Sequence, residues 1–170
     1  MTDESQPAAD VLPWYVAHTR PRCEKKLAES CAREGVTVTL PCYRSVKKYR
    51  SKTVVFQKPL FPNYVFLRLE PRQRQMIYQS DHVANLLEVV DQQLFEAQLG
   101  DILQALDTDS EIVLAPQIKA GERVKIKSGP LRGVEGVVEQ RSGMTYVMLR
   151  LDFIGQAAAV KVEASELELI

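Results

Sequence analysis

Apolar and polar positions fall in distinct blocks along the chain, and each block predicts an element. Val11 to Thr19 leads with Trp14, Tyr15 and Val16, aromatic and β-branched residues suited to a half-buried pleated surface, which predicts a strand. Pro21 to Glu34 sets Cys23, Leu27 and Cys31 four apart with Ala28 and Ala32 beside them, one apolar stripe at helical spacing, and Gly35 follows as a C-terminal cap. The other face of this amphipathic helix carries Arg22, Lys25, Lys26 and Arg33. Val36 to Leu40, Val54 to Phe56 and Tyr64 to Leu69 read as further strands of one sheet, interrupted by a basic loop and by Pro59 and Pro62. Asp91 can cap a second helix in which Phe95, Leu99, Ile102, Leu103 and Leu106 recur on one side and cover that sheet. Strands and helices without a repeated βαβ rhythm predict an α+β fold, an antiparallel sheet flanked by helices.

Beyond Gly121 the pattern changes. Arg123 to Lys127, Gly136 to Gln140, Thr145 to Leu151, Ala157 to Val162 and Glu166 to Leu169 are short β-rich runs punctuated by glycine, which predicts a small β-barrel of about five strands. Six of the eight glycines lie after Lys119, and Thr108 to Lys119 has no clear period. The expected organisation is therefore an acidic disordered tail over 1–11, an α+β domain over 12–107, a linker over 108–119 and the barrel over 120–170.

Charge changes the picture only when it is partitioned. The chain of 170 residues carries 22 Lys+Arg against 22 Asp+Glu, a balance that by itself disfavours a nucleic-acid binder. Yet Trp14 to Pro59 holds 11 basic against 3 acidic residues, whereas Leu60 to Lys119 holds 4 against 9. An anionic partner meets the local field rather than the total, so a basic face remains available. Arg20, Arg22, Lys25 and Lys26 open the first helix, and Lys47, Lys48 and Arg50 surround Tyr49 in the basic loop, with Arg44 and Lys52 beside them. Such cations can neutralise phosphates, and an exposed Tyr can stack on an unpaired base. The rival reading for both clusters is a solvated charged surface.

No apolar run approaches the roughly 18 to 20 residues of a membrane span, and Met1 to Pro13 lacks the basic flank of a secretory signal, so a cytoplasmic protein is expected. Cys23, Cys31 and Cys42 form no Cys-x-x-Cys pair and read as buried thiols rather than metal ligands. His18 and His82 have no nucleophile at a recognisable spacing, and no phosphate-binding glycine loop precedes a Lys-Ser/Thr pair. Neither an enzyme nor a cofactor is expected.

Three segments in order carry a resemblance: Trp14-Tyr15-Val16 with the Glu24-Lys25-Lys26 helix; Pro59 to Phe66, reading Pro-Leu-Phe-Pro-Asn-Tyr-Val-Phe; and Arg123 to Val138, which contains Lys127-Ser128-Gly129-Pro130-Leu131-Arg132-Gly133. Together they resemble the NusG family of transcription elongation factors over about Leu12 to Ile170, and the last segment resembles its KOW motif. Leu60 to Phe66 is closer to specialised paralogues such as RfaH, because Asn63 stands where housekeeping NusG usually has Gly. Asn can adopt the same left-handed backbone, which would preserve the turn. The resemblance implies a NusG N-terminal-like domain joined to an SH3-like KOW domain, acting as a monomer. It implies an elongation or antitermination factor that docks on the clamp helices of the largest RNA polymerase subunit, favours the closed clamp and suppresses pausing. Such an effect is a population shift, limited by the difference in affinity for the two clamp states.

Carried over residue by residue, the resemblance assigns polymerase docking to Val16, His18, Phe61, Tyr64 and Phe66, where His18 departs from the aromatic residue of RfaH. If Tyr64 to Leu69 is a strand, Tyr64 and Phe66 share a face; the rival reading is a face that simply packs under a helix. The resemblance also points Arg20, Arg22, Lys25 and Lys26 toward the non-template DNA strand. Asp81 and Arg74 to Ile77 do not reproduce the RfaH pattern, so its sequence specificity does not carry over. In the barrel, Leu131, Val134, Phe153 and Ile154 match apolar positions that meet ribosomal protein NusE or the termination factor Rho, with barrel core as the alternative. A KOW-containing RNA- or ribosome-binding module not acting on polymerase is the competing function.

Overall fold

The computed structural model describes residues 12–108, 110–115, 121–141 and 143–170. The acidic segment 1–11, residues 109 and 116–119 of the expected linker, and residue 120 at the start of the expected barrel lie outside the described residues. The chain forms two compact units, one comprising residues through Leu40 with Pro62–Gln92, the other Pro41–Phe61 with Gln93–Ile170.

The first unit is built on strand β1 (Trp14–Thr19), helix α1 (Glu24–Arg33) and strand β2 (Thr37–Thr39). The second unit interposes β3 (Cys42–Tyr49) and β4 (Lys52–Pro59) before the first resumes with β5 (Tyr64–Arg68), α2 (Arg74–Gln79) and β6 (Val83–Glu88). The first unit's four strands form an antiparallel sheet in the order β2-β5-β1-β6. Side chains alternate between its faces. On one face Tyr15, Ala17, Val65 and Leu67 pack with Leu27, Cys31 and Val36 from α1 and its C-terminal turn, and with Ile77 of α2, into a single core. The helical stripe expected from Leu27 and Cys31 is therefore the buried face of α1, while Lys25 and Lys26 stay exposed. The helix α2 and the edge strand β6 have too few apolar repeats to announce themselves in the sequence.

The basic segment expected as a loop is instead most of a regular antiparallel hairpin. Strands β3 and β4 pair in unbroken register from Cys42↔Pro59 to Tyr49↔Lys52, leaving Arg50 and Ser51 as the turn. Its Val46, Tyr49, Val54, Val55 and Phe56 are strand-forming residues; the interleaved lysines hide that pattern without opposing it.

The second unit continues with α3 (Gln92–Leu106, whose first residue belongs to the first unit), β7 (Ile112–Ala115), β8 (Arg123–Ile126), β9 (Glu135–Arg141), β10 (Met144–Leu151), β11 (Gln156–Lys161) and β12 (Leu167–Leu169). The expected second helix is present, with Phe95, Leu99, Ile102 and Ala105 buried and Leu103 and Leu106 half-buried; contrary to expectation it belongs to the second unit, and none of its residues joins the α1/α2 core of the first sheet. Five strands follow Gly121 as expected, and β7, inside the stretch expected as a linker, pairs with β11 as a sixth. Four consecutive residues of β10, Tyr146 to Leu149, are buried, so both faces of that strand are covered. One side of the covering is α3: Gln98 and Asp152 exchange two hydrogen bonds, the Asp152 N–H donating to Gln98 Oε1 at 2.9 Å and Gln98 Nε2 donating to Asp152 Oδ2 at 3.0 Å.

Candidate functional site

Strand β1 lies directly against β5, and the register makes three cross-strand pairs on the face opposite the α1/α2 core: Trp14↔Arg68, Val16↔Phe66 and His18↔Tyr64. Four of the five residues assigned to polymerase docking, Val16, His18, Tyr64 and Phe66, thus form two adjacent rungs of one ladder. The ladder grades from buried to open. Arg68 lies over the Trp14 ring at 4.3 Å, and Val16 and Phe66 are fully buried. His18 is exposed and Tyr64 half-buried, their rings stacked with centroids 5.3 Å apart and planes at 29°. Phe61, assigned to the same docking surface, belongs to the other unit and is buried, so its ring is not available on this face.

The turn before β5 places Tyr64. Asn63 adopts φ +70°, the left-handed conformation expected of a residue standing where glycine is usual. Its N–H donates to Glu24 Oε1 at 2.9 Å, and its carbonyl accepts the Thr19 N–H at 2.8 Å. The first residue of α1 and the end of β1 together fix this turn. The role of Glu24, buried despite its charge, gave no signal in the sequence; its spacing from Asn63 is 39 residues.

Arg20, Arg22, Lys25 and Lys26 are all exposed at the start of α1. Arg22 sits at φ +62°, and Arg20 reaches Asp81 at 3.4 Å, a solvent-exposed pair that only weakly tempers the positive charge. Lys47, Lys48, Tyr49 and Arg50 are exposed at the far end of the β3–β4 hairpin, in the other unit. The two basic clusters therefore stand on separate units.

In the second unit Leu131 and Val134 are buried. Phe153 and Ile154 are half-buried in a 3₁₀ turn closed by Gly155 at φ +66°. The Phe153 ring meets Phe95 of α3 edge-on, with centroids 6.3 Å apart. Beside this contact, a cleft of about 320 Å³ is lined by Asp101, Arg123, Glu135, Met148, Arg150 and other residues. Burial raises the Asp101 carboxyl above its ordinary range, and the neighbouring Glu135 carboxylate raises it further.

Among the described residues no cluster of His, Cys, Asp and Glu could hold a metal ion, and no helix is long and apolar enough to cross a membrane. Cys31 is a buried thiol pushed up to about 11 by desolvation, while Cys23 and Cys42 are half-buried.

These elements define the class: an antiparallel sheet packed on two helices, and a β-rich C-terminal segment folded into a six-stranded antiparallel sheet. A family model described as transcription termination factor NusG matches residues 12–103. The chain belongs to the NusG family. It is similar to the transcription termination/antitermination protein NusG of Rickettsia typhi, 24% identical over 145 residues that cover 77% of this chain and 76% of the relative. The Rickettsia prowazekii protein of the same description is 24% identical over 144 residues, covering 76% and 75%. A solved structure described as domain interaction in Thermotoga maritima NusG matches with a TM-score of 0.52 at 18% identity, covering 96% of this chain and 99% of that one, a likeness of fold.

Proposed function

We propose that this member of the NusG family is a transcription elongation and antitermination factor that binds RNA polymerase through the ladder face of its first sheet. The observation that carries the reading is the His18–Tyr64 stack, an exposed imidazole on a half-buried tyrosine ring, on a face opposite the domain's own core. Aromatic residues anchored by buried neighbours are the side chains that dominate binding hot spots, and Val16 and Phe66 are those neighbours. Docking on the clamp helices and bridging the cleft would favour the closed clamp and suppress pausing, to the extent that the factor binds that state more tightly. Arg20, Arg22, Lys25 and Lys26 face the non-template DNA strand in this reading, and the basic hairpin supplies further nucleic-acid contact. The domain organisation we propose is residues 12–107 acting on polymerase, with 120–170 as a KOW domain that meets NusE or Rho through Phe153 and Ile154.

The test is co-purification with RNA polymerase of a His18→Ala, Tyr64→Ala double variant whose circular dichroism matches the parent. Binding should fall at least tenfold. A folded double variant that binds polymerase as the parent does removes the ladder face as the interface. Charge reversal of Arg20, Arg22 and Lys25 should weaken contact with an exposed non-template strand and flatten its salt dependence.

A further inference from the structure

The β3–β4 hairpin contains six basic residues and no acidic one between Cys42 and Pro59. Its register sorts them by face. One face reads, rung by rung from the tip, Tyr49↔Lys52, Lys47↔Val54, Ser45↔Phe56 and Tyr43↔Lys58, so rings and cations alternate along it. Tyr49 is 57% and Phe56 40% exposed, and the Lys47 ammonium lies 6.0 Å from the Phe56 ring centroid. The opposite face carries Arg44, Val46, Lys48 and Val55. At the root of the hairpin Cys42, Arg44, Val46 and Gln57 of that face, together with Tyr43, line a cleft of about 500 Å³ that also includes Glu111, whose carboxylate disfavours an anion at the root and leaves the tip to it.

We infer that the ring-bearing face of the hairpin is a sequence-tolerant site for single-stranded nucleic acid. Unpaired bases stack on Tyr49 and Phe56 while Lys47, Arg50 and Lys52 neutralise the phosphates. The proposal rests on the reading that the basic hairpin touches nucleic acid, and it names which form. Phosphate neutralisation alone would serve a duplex and needs only cations. Two exposed rings gain nothing from a stacked duplex, whose base faces are covered, whereas every unpaired base offers a π-face. The spacing suits several bases: Lys52, across from Tyr49, lies four residues from Phe56, about 13 Å at ~3.3 Å per residue. This face carries no Asn, Gln, Asp or Glu, and its cations are taken up by phosphates, which hold no sequence information, so the site tolerates any sequence.

The experiment is fluorescence anisotropy with the full chain and end-labelled 15-nucleotide oligo(dT), oligo(rU) and a duplex of equal length, across a salt series. Both single strands should bind with similar affinity, and the duplex at least tenfold more weakly. Tyr49→Ala and Phe56→Ala should each weaken single-strand binding by about 5- to 150-fold, the range for losing one stacked base. Tyr49→Phe and Phe56→Tyr keep the rings and should bind as the parent does, which guards against loss through misfolding. Lys47→Gln with Lys52→Gln should lower the salt slope by about 1.4, and Val55→Ser on the opposite face should change nothing. Equal binding of duplex and single strand, alanine variants that bind normally, a greater than tenfold preference between the two single strands, or no single-strand binding at low salt would each overturn the proposal. Retained polymerase co-purification in that event would leave the polymerase reading standing, so the two failures are distinguishable.

Discussion

The carboxylate of Glu24 accepts the backbone N–H of Asn63, joining the first residue of α1 to a left-handed turn residue 39 positions away. The bond fixes where β5 begins and therefore where Tyr64 meets His18. A carboxylate buried to this degree is sustained by what it accepts, and removing one partner leaves the other unsatisfied. Glu24→Ala should destabilise the fold by about 1.5–3 kcal/mol in urea unfolding. At Asn63 the backbone conformation decides: Asn63→Gly should be neutral to within about 0.5 kcal/mol, whereas Asn63→Val should cost at least ~1–2 kcal/mol, because a β-branched residue resists positive φ. Equal stability of the Gly and Val variants would refute the backbone argument.

Among the glycines, Gly136 leaves the least room for a side chain. A Cβ built there would stand 2.5 Å from the Met148 carbonyl oxygen and 2.6 Å from Val147 Cγ1, and the first of these is backbone that cannot swing aside. Gly136→Ala should therefore separate β9 from β10 and cost about 1–3 kcal/mol, in the range of an overpacked core. Thermal unfolding that matches the parent would show that the strands relax without cost.

The legible parts of this fold were those with an uninterrupted period. Cys23, Leu27 and Cys31 gave α1, and the two-residue spacing of Tyr64 and Phe66 placed both on one face, as β5 does. Pairing was not legible, since register depends on a partner strand: that Val16 would sit across from Phe66 and His18 across from Tyr64 follows only from the folded sheet. The hairpin is hidden in the sequence because Lys47, Lys48, Arg50 and Lys52 resemble a solvated loop, while a two-stranded ribbon exposed toward its tip tolerates lysine at nearly every other position. Burial of Leu131 and Val134 was one of two open readings; both are apolar residues near glycine turns, and only the tertiary structure decides which side they occupy.

Cys31 carries a pH signature. Its buried thiol is pushed up to about 11 by desolvation, so the folded state holds the proton more tightly than the unfolded chain does. As pH rises past the ordinary thiol range the unfolded state ionises first, stability falls, and the fall levels once the folded thiol also titrates near 11. Cys31→Ala removes this component, so the difference in stability between parent and variant should shrink between about pH 8.5 and 11. At neutral pH a thiol reagent should modify the half-buried Cys23 and Cys42 well before Cys31. Early labelling of Cys31 in the folded protein would contradict its assignment to the core.

Asp101 gives the opposite handle, on the contact between α3 and the second sheet. Its carboxyl is raised first by desolvation and then by Glu135, while Arg123 and Arg150 line the same cleft with Asp152. A raised carboxyl favours the protonated form in the folded state. The unfavourable component is absent below the ordinary carboxylate range, builds as pH rises through it, and is complete above the folded pKa. Asp101→Asn keeps the shape and removes the charge, so it should raise the melting temperature at pH 7 and confer no advantage near pH 3. The hydrogen bonds between Gln98 and Asp152 supply the control: Gln98→Ala should loosen the same contact at both pH values through lost donors and acceptors. If Asp101→Asn shifts the melting temperature equally at pH 3 and pH 7, the effect is one of packing, and the carboxylate facing Glu135 does not tune how α3 sits on the sheet.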